Sequence, residues 1–197
     1  LTVRAEWLAG NIAKPGIKVL DATSHLPTLG RNAKEEHLAC RIANAGWFDI
    51  DKIADRSSKL PHTLPSAEFF QSKMQALGIE NDDHVIVYCD SVFLSAARAW
   101  WMLRWLGHEH VAVLDGGLGQ WPHALQTGAV TPAEISNFTQ QTPLTRLYSS
   151  DQVLSAIQQP VNMRPQQVHA RSPERFAGKE EPIDPVAGHI PGAICLP

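Results

Sequence analysis

An α/β fold with a mainly parallel central sheet flanked by helices is predicted by two observations. Short β-branched runs alternate with helical stretches along the chain, and each stretch is bounded by cap, stop or turn residues of its own. Residues 18–22 form a short apolar run after Pro15-Gly16, the pattern of a buried strand entered from a turn. Ser66 is placed to cap a helix over 67–77, which Gly78 stops. Residues 84–88, His-Val-Ile-Val-Tyr, read as the next strand from their β-branched content. After a loop from Cys89 to Leu94, Ser95 is placed to cap a helix through Leu106. Ala96, Ala99, Trp100, Leu103 and Leu106 lie on one face of that helix, and Gly107 closes it. Val111–Leu114 is a further strand, turned by Asp115-Gly116-Gly117. Parallel sheets place ligands at the carboxyl ends of their strands, and Cys89 sits at such an end.

Composition narrows the function classes. At 197 residues the chain is longer than one typical domain, and 44% hydrophobic with 19% charged residues is ordinary for a globular protein with a real core. No apolar stretch is long enough to span a bilayer. A formal charge of −3 without a dense Lys/Arg cluster argues against nucleic acid as a partner and favours a small ligand. Cys40, Cys89 and Cys195 are an odd set without CxxC spacing, so neither a disulfide framework nor a zinc site is indicated, and a reducing, cytoplasmic setting fits. His25, His37, His62, His84, His108, His110 and His123 lack metal-site spacing, which makes solvated or packing roles the default. The chain opens on Leu1 and not Met and ends at Pro197 in mid-pattern, so loss of terminal segments, a targeting peptide included, is an expectation.

Residues 127–147, rich in Thr, Pro, Gln and Asn without periodicity, read as a connecting segment. The expected organisation is a first domain over 1–129, a linker over 130–147 and a second domain beginning at 148. In that second part Ser150 opens a short helix to Ile157, and residues 167–170 read as a new first strand. An internal repeat supports the boundary: Ala22 and Ala170, Ile42 and Ile190, and Ala45 and Ala193 are each 148 positions apart. At that offset the counterpart of Cys89 falls at position 237, beyond Pro197. The second domain over 148–197 is therefore expected to be incomplete and to stop short of its active-site loop.

Several phrases, in order, resemble the tandem-domain rhodanese family of thiosulfate and 3-mercaptopyruvate sulfurtransferases. In the first part these are Leu26-Pro27-Thr28-Leu29-Gly30-Arg31, Phe48-Asp49-Ile50-Asp51, Ser95-Ala96-Ala97-Arg98-Ala99-Trp100-Trp101 and Leu114-Asp115-Gly116-Gly117-Leu118. In the second they are Ala170-Arg171-Ser172-Pro173-Glu174-Arg175-Phe176 and Gly188-His189-Ile190-Pro191-Gly192-Ala193. The resemblance implies a rhodanese-like domain followed by the start of another. It also implies sulfur transfer from thiosulfate to a thiophile such as cyanide through a cysteine persulfide. Partners would be a small sulfur donor and its acceptor, with no nucleic acid and no membrane, and no cofactor is implied because the sulfur is carried covalently.

Such chemistry needs an activated thiolate in a loop whose N–H groups point inward at a helix N-terminus. Family members normally carry the catalytic cysteine in the second domain, which the resemblance places beyond Pro197. An aspartate is common at the matching position of the first domain, where this chain has Cys89. Cys89 is therefore the candidate nucleophile, read against the alternative of a small residue packed in a non-catalytic loop. Asp90 beside it and the glycine-free run Asp90-Ser91-Val92-Phe93-Leu94 are unfavourable for an anion, so the expected activity of this chain is little or none.

A phosphatase relative would need arginine six positions after the cysteine, where Ser95 stands, so phosphatase activity is excluded, and Arg98 is read as a structural arginine paired with a carboxylate. Arg175 is the candidate substrate-binding residue, matching a position that contacts the donor carboxylate in mercaptopyruvate-type members. Those members carry a second arginine nine residues later, where Asp184 stands here, which favours thiosulfate as donor. Their active-site histidine in the first domain is replaced by Arg41, an indication of altered packing, while His189 is read as structural. Mercaptopyruvate transfer and a non-catalytic binding or regulatory module are the two alternatives. Trp100, Trp101 and Trp105 are read as core or interface aromatics.

Overall fold

The computed structural model describes residues 1–90 and 94–197, so the glycine-free stretch expected at Ser91, Val92 and Phe93 lies outside the described residues. Two compact units separate, 1–146 and 147–197.

The first unit is organised by residues that alternate in side along each strand. Its five strands are β1 (Thr2–Val3), β2 (Ile17–Asp21), β3 (Gly46–Trp47), β4 (His84–Tyr88) and β5 (Val111–Leu114), in the order β1-β5-β4-β2-β3, every neighbouring pair parallel. Leu20, Val85, Val87 and Val111 point to one face, where they pack with Phe70, Met74, Ala99, Leu103 and Phe138. Val19, Ile86, Tyr88, Ala112 and Leu114 point to the other and meet Ala5, Leu8 and Ile42. A sheet covered on both faces requires apolar residues at consecutive positions, which is why Val85, Ile86, Val87 and Tyr88 are all fully buried. Each such side chain contributes about 1.5–3 kcal/mol relative to exposure.

The helices follow from their ends. Helices α1 (Ala5–Ala9) and α2 (Ala33–Ala39) precede α3 (Ala67–Ala76), whose N-cap Ser66 accepts from the Phe69 amide at 3.2 Å as expected. Helix α4 (Ala96–Trp105) departs from expectation at its start. Ser95 has helical backbone angles (φ −59, ψ −21), makes no side-chain cap, and buries its hydroxyl without a partner among the described residues. Arg98 on α4 also departs: it donates to the His62 carbonyl at 2.9 Å and lies over the Trp101 ring at 5.5 Å, with no carboxylate pairing among the described residues. Trp100 donates its indole N–H to the Val111 carbonyl at 3.1 Å, fixing α4 on β5.

Residues 130–146 hold no helix or strand, in keeping with their composition, yet they are seated on the first unit. Phe138 is fully buried, Gln75 donates to its carbonyl at 2.8 Å, and the Gln141 and Leu144 amides bond the carbonyls of Leu106 and Arg104, each at 2.9 Å. Gly107, at φ +84, lies so close to Gln141 that a Cβ would stand 2.6 Å from its carbonyl carbon.

The second unit contains α5 (Ser150–Ile157), a two-stranded parallel sheet of β6 (Val168–His169) and β7 (Ile194–Cys195), and the short helix α6 (Pro173–Phe176). Beyond β7 the Leu196 amide bonds the His169 carbonyl at 3.0 Å, and Pro197 is exposed. Helix α5 runs from Ser150 to Ile157 as read, and Ser149 before it forms a reciprocal capping box with Gln152. No helix among the described residues is long and apolar enough to cross a membrane.

Candidate functional site

The carboxyl ends of β2, β4 and β5 converge in the first unit, as a parallel sheet dictates. A cleft of about 500 Å³ opens there, lined by Cys89, Asp90, Arg31, Leu94, Gly116 and Gly117 among others. Cys89 follows β4 directly, is 8% exposed, and belongs to the apolar cluster that also holds Ala96 and Ala99. Its carbonyl accepts from the Leu118 amide at 3.2 Å. Gly117, at φ +57, passes so near that a Cβ would stand 2.3 Å from the Cys89 carbonyl oxygen. The two-glycine turn after β5 thus brings the strand ends together.

Beneath the cleft lies a polar network that sequence reading did not anticipate. The Asp90 amide donates to the Thr23 hydroxyl at 2.9 Å, and that hydroxyl donates to Asp21 Oδ1 at 2.5 Å. Asp21 Oδ2 meets His37 Nδ1 at 2.8 Å, and Asp21 and His37 are each 2% exposed. A buried carboxylate demands such partners, since an unpaired one would be very costly. Neighbouring Tyr88, whose hydroxyl accepts from the Ile42 amide at 3.3 Å, is pushed well above the usual phenol range, first by burial and then by Asp21. At the mouth Arg31 bridges Asp90 at 3.2 Å and Glu36 at 2.8 Å, while His25 meets Glu36 at 2.7 Å. Glu36 is held below the usual carboxylate range: burial pushes it up, and the hydrogen bonds from Arg31 and His25 outweigh that.

Arg41 does not reach this cleft as a substrate group. It is 1% exposed and donates to the carbonyls of His37, Gly128 and Ala129 at 3.3, 2.8 and 3.2 Å, clamping the chain after β5 within the first unit.

The other candidate, Arg175, lies in the second unit on α6. Its Nη2 donates to Glu181 Oε1 at 2.7 Å and to Asp184 Oδ2 at 3.0 Å. Arg171, four residues earlier, was not singled out from sequence. Its Nη1 donates to Glu181 Oε2 at 2.8 Å and its Nη2 to the same Asp184 oxygen. Arg171 precedes α6, two residues before its first helical position, so no helical spacing links it to Arg175. His189 stacks on Phe176 at 3.8 Å and contacts its carbonyl at 2.8 Å, a packing role as read. No group of three or more His, Cys, Asp or Glu able to hold a metal occurs among the described residues.

A five-stranded parallel sheet with a cysteine at the tip of its central strand, facing a cleft beside a helix start, defines an α/β domain of rhodanese type. Residues 4–124 match the model of the rhodanese-like domain, and the chain belongs to that family. It is 38% identical over 201 residues to the 3-mercaptopyruvate sulfurtransferase of Escherichia coli K12, covering 99% of this chain and 70% of that protein. It is 38% identical over 220 residues to thiosulfate/3-mercaptopyruvate sulfurtransferase 1, mitochondrial, of Arabidopsis thaliana, where it spans 57% of the relative's length. Among solved structures, SseA of Escherichia coli, a 3-mercaptopyruvate sulfotransferase, superimposes with a TM-score of 0.85 at 37% identity over 100% of this chain and 74% of that one. The fold is the α/β rhodanese fold, with a mainly parallel central sheet flanked by helices.

Proposed function

We propose that the protein is a sulfurtransferase that takes sulfur from 3-mercaptopyruvate and passes it, through a cysteine persulfide, to a thiophilic acceptor such as cyanide. The observation that carries this is 38% identity to a 3-mercaptopyruvate sulfurtransferase across 99% of the chain. The donor preference replaces the thiosulfate reading drawn from Asp184. In the reaction a cysteine thiolate attacks the donor sulfur, the carbon–sulfur bond breaks, and pyruvate leaves as its enolate and is protonated. The acceptor then attacks the outer sulfur and releases the thiolate.

Arg175 is the residue we assign to the donor carboxylate, because a planar guanidinium matches that group with two parallel hydrogen bonds. Residues 148–197 open a second rhodanese-like domain, a reading the internal repeat supports. We assign the sulfur-carrying thiol to that second repeat, at the counterpart of Cys89 beyond Pro197. Cys89 itself is packed at 8% exposure in an apolar cluster and stands beside Asp90, the setting of a small residue packed in a loop. We place the reaction in the cytoplasm, with small molecules as partners and neither nucleic acid nor membrane involved; the charge of −3 without a dense basic cluster supports the exclusion of nucleic acid. Thiosulfate as donor keeps one observation in its favour, namely the acidic residue Asp184 beside Arg175.

The test is thiocyanate formation from cyanide, with each donor in turn, by the full-length protein that carries the thiol of the second repeat. A higher kcat/KM with 3-mercaptopyruvate is expected; a higher value with thiosulfate, or no turnover of either, overturns the reading.

A further inference from the structure

We propose that the connecting segment 136–144 is held on the first unit by a proton-sensitive latch: it stays seated while the His108 ring is neutral, and uptake of a proton by that ring frees it. The inference is independent of the sulfur chemistry proposed above. The latch is a histidine sealed in an apolar seat. His108 is 1% exposed, and its ring stands 5.8 Å from that of Phe138, the anchor of the segment. Neither buried ring nitrogen finds a partner in hydrogen-bonding geometry among the described residues. Buried polar groups are rarely left in that state. A neutral imidazole tolerates it far better than an imidazolium, which adds a second N–H and a full charge.

The surroundings offer that charge little. Residues 135–145 contain no titratable side chain, so the segment over the ring cannot pair with it. Helix α3 meets the segment through Gln71 and Gln75, both uncharged. Before β4, Asp83 is buried and already accepts from the Glu80 amide at 2.7 Å, with Lys18 at 3.9 Å, while Glu80 accepts from the Asn137 amide at 3.4 Å. His84 and His110, whose rings are 6.5 Å apart, bring only more positive charge in acid. Arg104 on α4 is turned onto the Trp100 ring at 5.3 Å, and Glu109 is exposed. Burial therefore dominates and holds the His108 ring below its ordinary value, with His110 adding to the effect, while the backbone of Asp83 and His110 and the Asp83 carboxylate pull upward by less.

What yields is the segment and not the sheet. It has no helix or strand of its own, and it is fixed by separate bonds: the Ser136 amide to the Gln75 carbonyl at 3.1 Å, the Thr139 amide to Asn81 Oδ1 at 2.9 Å, and the Gln141 and Leu144 amides to Leu106 and Arg104. Lifting it brings water to His108 while the strand pairings, β4 with β5 included, stay closed. In the lifted state the ring titrates near its ordinary value of about 6.5. Above about pH 7.5 it is neutral in both states and has no effect. As the pH falls through about 6.5 the lifted state takes up a proton that the seated state resists, so lifting is favoured by up to about tenfold per pH unit until the seated ring also titrates.

Amide hydrogen exchange of the full chain at pH 7.5 and 5.5, corrected for the intrinsic pH dependence of exchange, reads this opening residue by residue. Opening at Gln141 and Leu144 is expected to become about tenfold easier at pH 5.5. It is also expected to remain easier than at Ala22, a buried core residue whose amide bonds the Tyr88 carbonyl at 2.9 Å. His108→Asn, or His108→Gln where the first loses its circular dichroism spectrum, is expected to abolish the pH dependence. Opening at Gln141 and Leu144 that is no easier than at Ala22, that is equal at the two pH values, or that rises as much in the substituted protein overturns the proposal.

Discussion

Phe138→Ala tests whether residues 130–146 are structural in the first unit. The ring is fully buried, lies in the apolar cluster that includes Phe70, Met74 and Leu103, and stands 5.8 Å from the ring of His108. Truncating a buried phenylalanine costs about 3–5 kcal/mol in transfer and cavity terms, against a total of about 5–15 kcal/mol for a typical domain. The hydrogen bonds that accompany it, Gln141 to Leu106 and Leu144 to Arg104, depend on the same seating and should open with it. Urea unfolding followed by tryptophan fluorescence measures the loss, and amide hydrogen exchange at Gln141 and Leu144 locates it. A shift under about 0.5 kcal/mol, the range of surface substitutions, would show the segment to be a tether and refute the reasoning.

Three further outcomes are expected. Gly117→Ala forces a Cβ against the Cys89 carbonyl oxygen at a left-handed backbone position, so it should lower stability by about 1–3 kcal/mol in thermal or urea melts; an unchanged midpoint would contradict the close approach. Burial lowers the His108 pKa from 6.5, so below about pH 6.5 the unfolded chain takes up a proton that the folded chain resists. Stability should therefore fall as pH drops from about 7.5 to 5, and His108→Asn should flatten that slope; an equal slope in both proteins counts against this assignment. In the full-length protein carrying the second repeat's thiol, Cys89→Ala should leave sulfur transfer intact, and mass spectrometry of the 197-residue chain after treatment with 3-mercaptopyruvate should find no stable added sulfur on Cys89; a persulfide there reverses the division of labour between the two repeats.

What could be read in the sequence was whatever is encoded locally. The β-branched run of β4, the Ser66 cap and Gly78 stop around α3, and the strand-end position of Cys89 depend on neighbours in sequence, and all of them stand in the structure. Strands β1 and β3, two residues each, are too short to show a period and exist because longer neighbours pair with them. Ser95 has the right chemistry for a cap but helical angles, which leave its hydroxyl unable to fold back onto the helix. The Asp21–His37 pair and the Arg41 clamp join residues far apart in sequence or lodged in the core, so no pattern of spacing announces them. Composition identified 130–146 as lacking regular structure, but the burial of Phe138 is a tertiary fact. At Arg175 it was the family resemblance that implied anion recognition, while the competing grip of Glu181 and Asp184 emerged with the geometry.

The most direct measurement of the central assignment is kcat/KM for each donor in Arg175→Lys. Lysine keeps the charge and loses the planar fork, so the account predicts a fall of about tenfold or more with 3-mercaptopyruvate and a much smaller change with thiosulfate. Equal losses with both donors, or no loss with either, would contradict recognition of the donor carboxylate by Arg175.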